Sequence, residues 1–391
     1  MKKNGSLKIA FPVASVWFGA LVSPSMISGV FAASYFAPYG AAGLLLPLLS
    51  MGLAAFIIAM GAEVVRKYRV YNYYDYAGCL YGKLGKVLTP VLEFYMIIAM
   101  IVGGSAVVTM GGIFFNDLTH LPKLMGSILV AAISIILVLW GDRLVRASST
   151  LMSVVMIVGM VLLSLLAVFY RGDRTAEILS TFAIPEGARL GAGVRGAVAL
   201  GLSNACNALT LSAVEQNVSK PRHSAAIGVC SFVLNSGAFL LSTLLLLPYC
   251  PEALQESVPV LAIVNTYLAE SAPWLPAVYS VTMFLALLSS GAPQLHAVVS
   301  RIRPLLPQKG TLGNSYVRGA LIGVVYFACC IVISRVGLQA IISKGYSMLG
   351  YLAIPLIVIP VCVLVPLRGR KEKNARPEAE RTIQAKKDLV V

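Results

Sequence analysis

Apolar residues in this chain come in long unbroken runs rather than in the alternation of a strand or the one-sided stripe of a surface helix. A bilayer core about 30 Å thick is crossed by about 20 apolar residues in helical form. By that measure the pattern predicts ten spanning helices, at 8–37, 41–66, 88–115, 123–140, 147–170, 191–218, 224–248, 273–300, 317–334 and 345–367. The predicted class is therefore all-α integral membrane.

Polar residues interrupt the runs most sharply in the first and sixth spans. The first reads LVSPSM, with Ser23, Pro24, Ser25 and Met26 at half depth; the sixth reads LGLSNACNAL, with Ser203, Asn204 and Asn207. Proline removes a backbone donor and crowds the preceding turn, so both spans are predicted to be discontinuous. The plainer alternatives are a proline kink in the first and asparagines bonding across helices in the sixth. Each half of the chain opens with an interrupted span, and five spans per half require the second copy to be inverted. Paired interruptions of this kind point to a secondary transporter with a 5+5 inverted repeat. No residue identity between the halves supports this; the spacing does.

The predicted organisation is a cytoplasmic N-terminus (1–7), a first repeat (8–170), an extracellular loop (171–190), a second repeat (191–367) and a basic cytoplasmic tail (368–391). The first apolar run is too long for a signal peptide and reads as a retained span. With the N-terminus inside, the inner segments hold 24 of the 31 Lys and Arg residues and the outer ones 7. Without the tail the ratio is still 16 to 7, so both termini are predicted to be cytoplasmic in a multi-pass cell-membrane protein.

Two further spans bring small or polar residues to the same depth: Gly103, Gly104 and Ser105 in the third, Ser289 and Ser290 in the eighth. An unwound helix frees backbone N–H and C=O groups that need partners. A carboxylate can take the former and a cation the latter, while glycines admit a ligand close to the backbone. The expected solute site is Ser23, Pro24, Ser25, Met26, Gly103, Gly104, Ser105, Ser203, Asn204 and Asn207. Helix packing is the competing account of the small residues.

Composition agrees with the pattern. The chain is 58% hydrophobic and 12% charged, with mean hydropathy +0.83, against about 25% charged in soluble domains. Its net charge of +15 belongs to the inner loops and argues for the bilayer rather than nucleic acid as partner. Seven scattered cysteines form neither a disulfide framework nor a metal motif. Glu63, Glu93 and Glu215 lie near inner span ends, and His120, His223 and His296 near interfaces. They read as groups that reach water or pair with Lys and Arg, with an inner gate, or a proton-carrying Glu93, as the alternative. The tyrosines of KYRVYNYYDYAGCLYG read as an interfacial belt. Since no nucleophile–base–acid set is present, no enzyme is expected.

The stretches VSPSMISGVFAASYFAPYG, YDYAGCLYGKLGKVLTPVLEF, MIVGGSAVV and SKGYSMLGYLAIP resemble the YkvI-like bacterial membrane proteins of the amino acid–polyamine–organocation superfamily. The resemblance covers most of 8–367 and implies the leucine-transporter-type fold. It also implies a solute site between the first and sixth helices, flanked by the third and eighth. Sodium-coupled members of that superfamily bind the ion through a carbonyl and two hydroxyls three and four residues later. Ala286, Ser289 and Ser290 match that spacing, with a carbonyl of Ala20 or Ser23 from the first helix. Around the first break this chain departs from the family pattern, with Ser-Pro-Ser and then Val30-Phe31 in place of glycines and a polar pair.

The expected function is alternating-access transport of a small organic solute, an amino acid or related zwitterion. No cofactor is expected; sodium or protons would be the coupling ion. A receptor subunit of the same fold, sensing a solute without moving it, is the alternative. Solute identity, transport direction and oligomeric state stay open.

Overall fold

The computed structural model describes residues 4–140, 158–303, 306 and 314–367. The first part of the predicted fifth span, the loop before it, most of the loop after the eighth span, and the tail lie outside the described residues. Those described form helices and connections, with no strand among them.

The first span is three helices: α1 (Asn4–Leu21), α2 (Pro24–Ile27) and α3 (Val30–Tyr35). A 3-10 stretch, Ala37–Leu44, leads into α4 (Leu45–Tyr68). There follow α5 (Tyr73–Tyr81), α6 (Gly85–Thr119), α7 (Lys123–Trp140) and α8 (Val158–Tyr170). A short helix α9 (Gly172–Thr181) occupies the stretch predicted as a plain loop. The second half continues with α10 (Leu190–Val214), α11 (Pro221–Leu246), α12 (Glu252–Gln255) and α13 (Pro259–Ile263). It closes with α14 (Leu275–Ile302), α15 (Ser315–Ser334) and α16 (Leu338–Leu367), the last mixing α and π turns.

Seven helices among the described residues are long and apolar enough to cross a membrane; α1, α7 and α8 are shorter apolar helices. Large apolar side chains such as Phe11, Phe56, Phe94 and Val229 are exposed on them. That is the surface expected where the solvent is lipid. The chain is a multi-pass membrane protein.

The helices pack in two groups. α1, α4, α10 and α11 pack on one another, with α16 against α10; α6, α7, α14 and α15 form the other group. The first group holds the first two spans of each half, and the second the third and fourth. Between them lies α2, which touches α6 and α14 on one side and α11 on the other. The break in the first span thus sits on the seam of the bundle.

Candidate functional site

The break follows from residues 19–29. Ser23 is extended (φ −107°, ψ 169°), and Pro24 has no N–H to give the Ala20 carbonyl. The Ser23 amide turns back to the Leu21 carbonyl (2.8 Å), and the Met26 amide bonds Ser23 (3.0 Å) instead of Val22. Gly19, Ala20 and Val22 therefore keep carbonyls without their helical partners. Ser23's own carbonyl accepts from both Met26 and Ile27 (3.1 Å).

A second interruption comes at Gly29, which adopts φ +78°. A Cβ there would sit 2.8 Å from Val260 and 2.9 Å from Leu246, so a side chain fails on conformation and on space. The Val260 amide of α13 bonds the Ser28 carbonyl freed by this turn (3.0 Å). Four-residue α2, all of it buried, is thereby isolated at mid-depth.

The sixth span corrects the prediction of two discontinuous helices: α10 tightens and does not break. Asn204–Cys206 and Leu211–Val214 are 3-10 turns around an α turn at Asn207–Thr210, and Ser203, Asn204, Cys206, Asn207, Thr210 and Leu211 keep right-handed helical backbone. The polar side chains bond their own helix. Ser203 Oγ donates to Leu200 O (2.7 Å), Asn204 Nδ2 to Leu200 O (3.0 Å) and Asn207 Nδ2 to Asn204 O (3.1 Å). Back-bonding of this kind satisfies a buried amide without unwinding. The two spans meet where Trp17 Nε1 of α1 donates to Asn204 Oδ1 (3.4 Å).

The expected site residues are brought together only in part. Ser23, Pro24, Ser25 and Met26 lie on the seam, and Asn204 meets α1. Gly103 faces Gln294 of α14, 3.1 Å from where a Cβ would stand. Gly104 faces Tyr326 and Cys330 of α15, and the Ser105 hydroxyl donates to Ile101 O (2.7 Å). Gly104 thus has the geometry of helix packing, because a methyl there would overlap the Tyr326 hydroxyl.

The expected ion ligands stand on α1 (Ala20), at the break (Ser23) and on α14 (Ala286, Ser289 and Ser290). Ser289 Oγ donates to the Ala286 carbonyl (3.0 Å), and the Ser23 carbonyl is already occupied. Ala20, whose carbonyl lacks its helical partner, is exposed on α1, whereas it is α2 that packs against α14.

Beside the break, on the side of α13, aromatic rings pack together. Phe31 packs edge-on to Phe239 and Tyr346 at centroid distances of 5.8 and 5.1 Å. Tyr35 OH reaches Ile342 O of α16 (2.8 Å). On the other side Ala20 and Thr210 are exposed, and Ser23 and Asn207 half-buried. The sequence carries no charged residue or histidine between Lys8 and Glu63, or between Arg195 and Glu215. From these two spans a ligand at this depth would meet backbone dipoles, hydroxyls and side-chain amides, and no charged side chain.

Sequence reasoning passed over Trp17, Gly29 and Gln294. A lone glycine in an apolar span signals a bend, and a buried indole N–H requires an acceptor. Gln294 has a buried side-chain oxygen with no partner, visible beforehand only as a single amide in an apolar run.

No protein-family model matches the chain, and no curated protein matches it in sequence. Solved structures do match its fold. A mutant of the manganese transporter from Eremococcus coleocola is 16% identical with TM-score 0.63, covering 91% of this chain and 78% of that one. MhsT in complex with L-phenylalanine is 16% identical with TM-score 0.61, covering 91% and 96%. A sodium-coupled sialic acid symporter in a substrate-bound outward-open state is 11% identical with TM-score 0.58, covering 90% and 79%. At such identities the likeness shows the fold, which is of leucine-transporter type. These structural neighbours are transporters rather than enzymes.

Proposed function

We propose that the chain is a secondary transporter that moves a small organic solute, an amino acid or related zwitterion, by alternating access. In this reading three of the four shorter apolar helices, α1, α7 and α8, are also spans, giving ten in a 5+5 inverted repeat, and the two helix groups rock about the seam. One observation carries it: an extended serine and a proline, with carbonyls lacking helical partners, lie in a charge-free region between two packed groups. Such backbone is tolerated at membrane depth where it lines a cavity or is covered by protein. The aromatic seal beside α13 and the exposed Ala20 and Thr210 fit a state closed on the outside.

A zwitterion suits the donors and acceptors present, namely the Asn204 and Asn207 amides and the free carbonyls of Gly19, Ala20 and Val22. Among the described residues no three His, Cys, Asp or Glu side chains gather in one place, which favours an organic solute over a divalent metal ion. Sodium coupling through Ala20, Ala286, Ser289 and Ser290 would require the end of α1 to approach α14.

The test is a thermal-stability screen of the purified full chain against amino acids, amines and small carboxylates, with and without sodium. A ligand at a hundred times its dissociation constant adds about 2.7 kcal/mol. A stabilising solute that also accumulates in proteoliposomes supports the proposal. Binding without uptake under any ion gradient would instead make the chain a sensor. For the sodium site, Ser290→Ala raises the sodium needed for half-maximal uptake, and unchanged dependence removes that site.

A further inference from the structure

Three acidic residues stand near the same end of the bundle, and two of them are paired. Glu63 is held by Arg66 and by Ser224 Oγ (3.2 Å). Glu93 meets Arg301 Nε at 3.4 Å. Glu215, one residue beyond the span Leu190–Val214, is 1% exposed. Both of its carboxylate oxygens are buried without a hydrogen-bond partner, and no cation pairs with it among the described residues.

The last turn of α10 packs against α1, α4 and α5. On α1 the described cation is Lys8, which is exposed. On α4, Glu63 and Arg66 satisfy each other. On α5, Asp75 is exposed and bonded to Asn72. The fully buried Tyr76 is the titratable group that faces Glu215, with Cys79 and Cys362 also near that tyrosine. Its hydroxyl donates to Gly61 O (3.3 Å), so it is not available to the carboxylate. A carboxyl so placed is held neutral by desolvation, and burial pushes Glu215 up to about 8.

One of the three helices packed on this last turn, α1, is separated from the seam. α1 ends at Leu21, and extended Ser23 separates it from α2. If α1 swings away, water reaches the end of α10 and the carboxyl ionises.

We propose that Glu215 is the proton-binding site of the transport cycle, protonated while α1 packs over the end of α10 and deprotonated to the inner solution when α1 moves off. The O–H bond breaks and the proton passes to water; no other bond changes. The role in a cycle rests on the transporter reading above, whereas the proton site itself does not.

The experiment is an infrared pH titration of the full chain in lipid nanodiscs, read beside Trp17 fluorescence in a Trp140→Phe, Trp274→Phe background. A protonated-carboxyl band is expected to bleach with a midpoint of about 8. The band is absent in Glu215→Gln and retained in Glu93→Gln. Trp17 emission changes with the same midpoint and becomes independent of pH in Glu215→Gln. A band that survives Glu215→Gln, or a Trp17 titration unaltered by that change, overturns the proposal. If Glu215→Gln does not fold, Glu215→Asp must move the midpoint, and an unmoved midpoint overturns it equally. Both titrations present with no solute uptake under any gradient would uphold the proton site and sink the transporter reading. Uptake that ignores a pH gradient, with a silent Glu215 band, would do the reverse.

Discussion

In the first span the backbone leaves the helix at Ser23 and again at Gly29; in the sixth it passes Ser203, Asn204 and Asn207 without leaving. Both stretches are polar at mid-depth, so polarity is not what breaks a membrane helix. In the first, Pro24 withholds an N–H and Gly29 takes a left-handed turn that a side chain would block. In the sixth, each side chain returns its hydrogen bond to a carbonyl three or four residues back. Backbone chemistry opens a helix, while side-chain chemistry can close over the same polarity.

The strongest way to break this contrast is Gly29→Val. A left-handed β-branched residue costs about 1–2 kcal/mol, and forcing it against Val260 and Leu246 adds about 1–3 kcal/mol. The variant is expected to lose most of its folded yield, measured by size-exclusion profile and thermal unfolding. Wild-type behaviour would mean that packing does not enforce the second turn. Next in size is Pro24→Ala. It restores a donor for Ala20 and lifts a restriction worth about 3 kcal/mol inside a helix, so α1 and α2 can fuse. Thermal stability is expected to hold or rise while solute binding falls at least tenfold. Preserved binding with lower stability would make the break a structural kink.

These two residues also mark how far the sequence was legible. Length and hydropathy were enough for a helical membrane protein, and Pro24 for the first break, because each is a local property of the chain. Nothing local in LGLSNACNAL says whether an asparagine bonds its own helix or unwinds it; that depends on neighbours such as Trp17, 187 positions away. Gly104 was ambiguous for the same reason, since a glycine that admits a ligand and one that admits Tyr326 are identical in sequence. Glu215 was visible as a carboxylate near a span end. Its lack of a partner became apparent only when α1, α4 and α5 were packed around it.

A smaller effect sharpens the comparison from the sixth span. Asn204→Ala leaves the Trp17 indole N–H without its acceptor and removes an amide that donates to Leu200. An unsatisfied buried donor costs about 1–3 kcal/mol, so thermal stability should fall by about that much. Trp17→Phe removes the other partner, and combining it with Asn204→Ala should cost less than the two single losses summed. Strict additivity would mean that the contact does not join the two spans.

The smallest expected effect is at the aromatic cluster of Phe31, Phe239 and Tyr346. Tyr35→Phe keeps the ring that stacks with Phe31 and removes the hydroxyl that bonds Ile342 O. One neutral hydrogen bond contributes about 0.5–1.5 kcal/mol. If the bond exists only in the state closed on the outside, the whole of that amount enters the equilibrium between closed and open. This shifts the populations about two- to tenfold. Labelling of a cysteine introduced beside Phe31 from the outer solution should then quicken by that factor while unfolding temperature scarcely changes. Equal destabilisation of both states would leave labelling untouched and lower the unfolding temperature instead. The outcome therefore decides whether Tyr35 latches one state of the bundle or braces every state alike, and it does so without the solute being known.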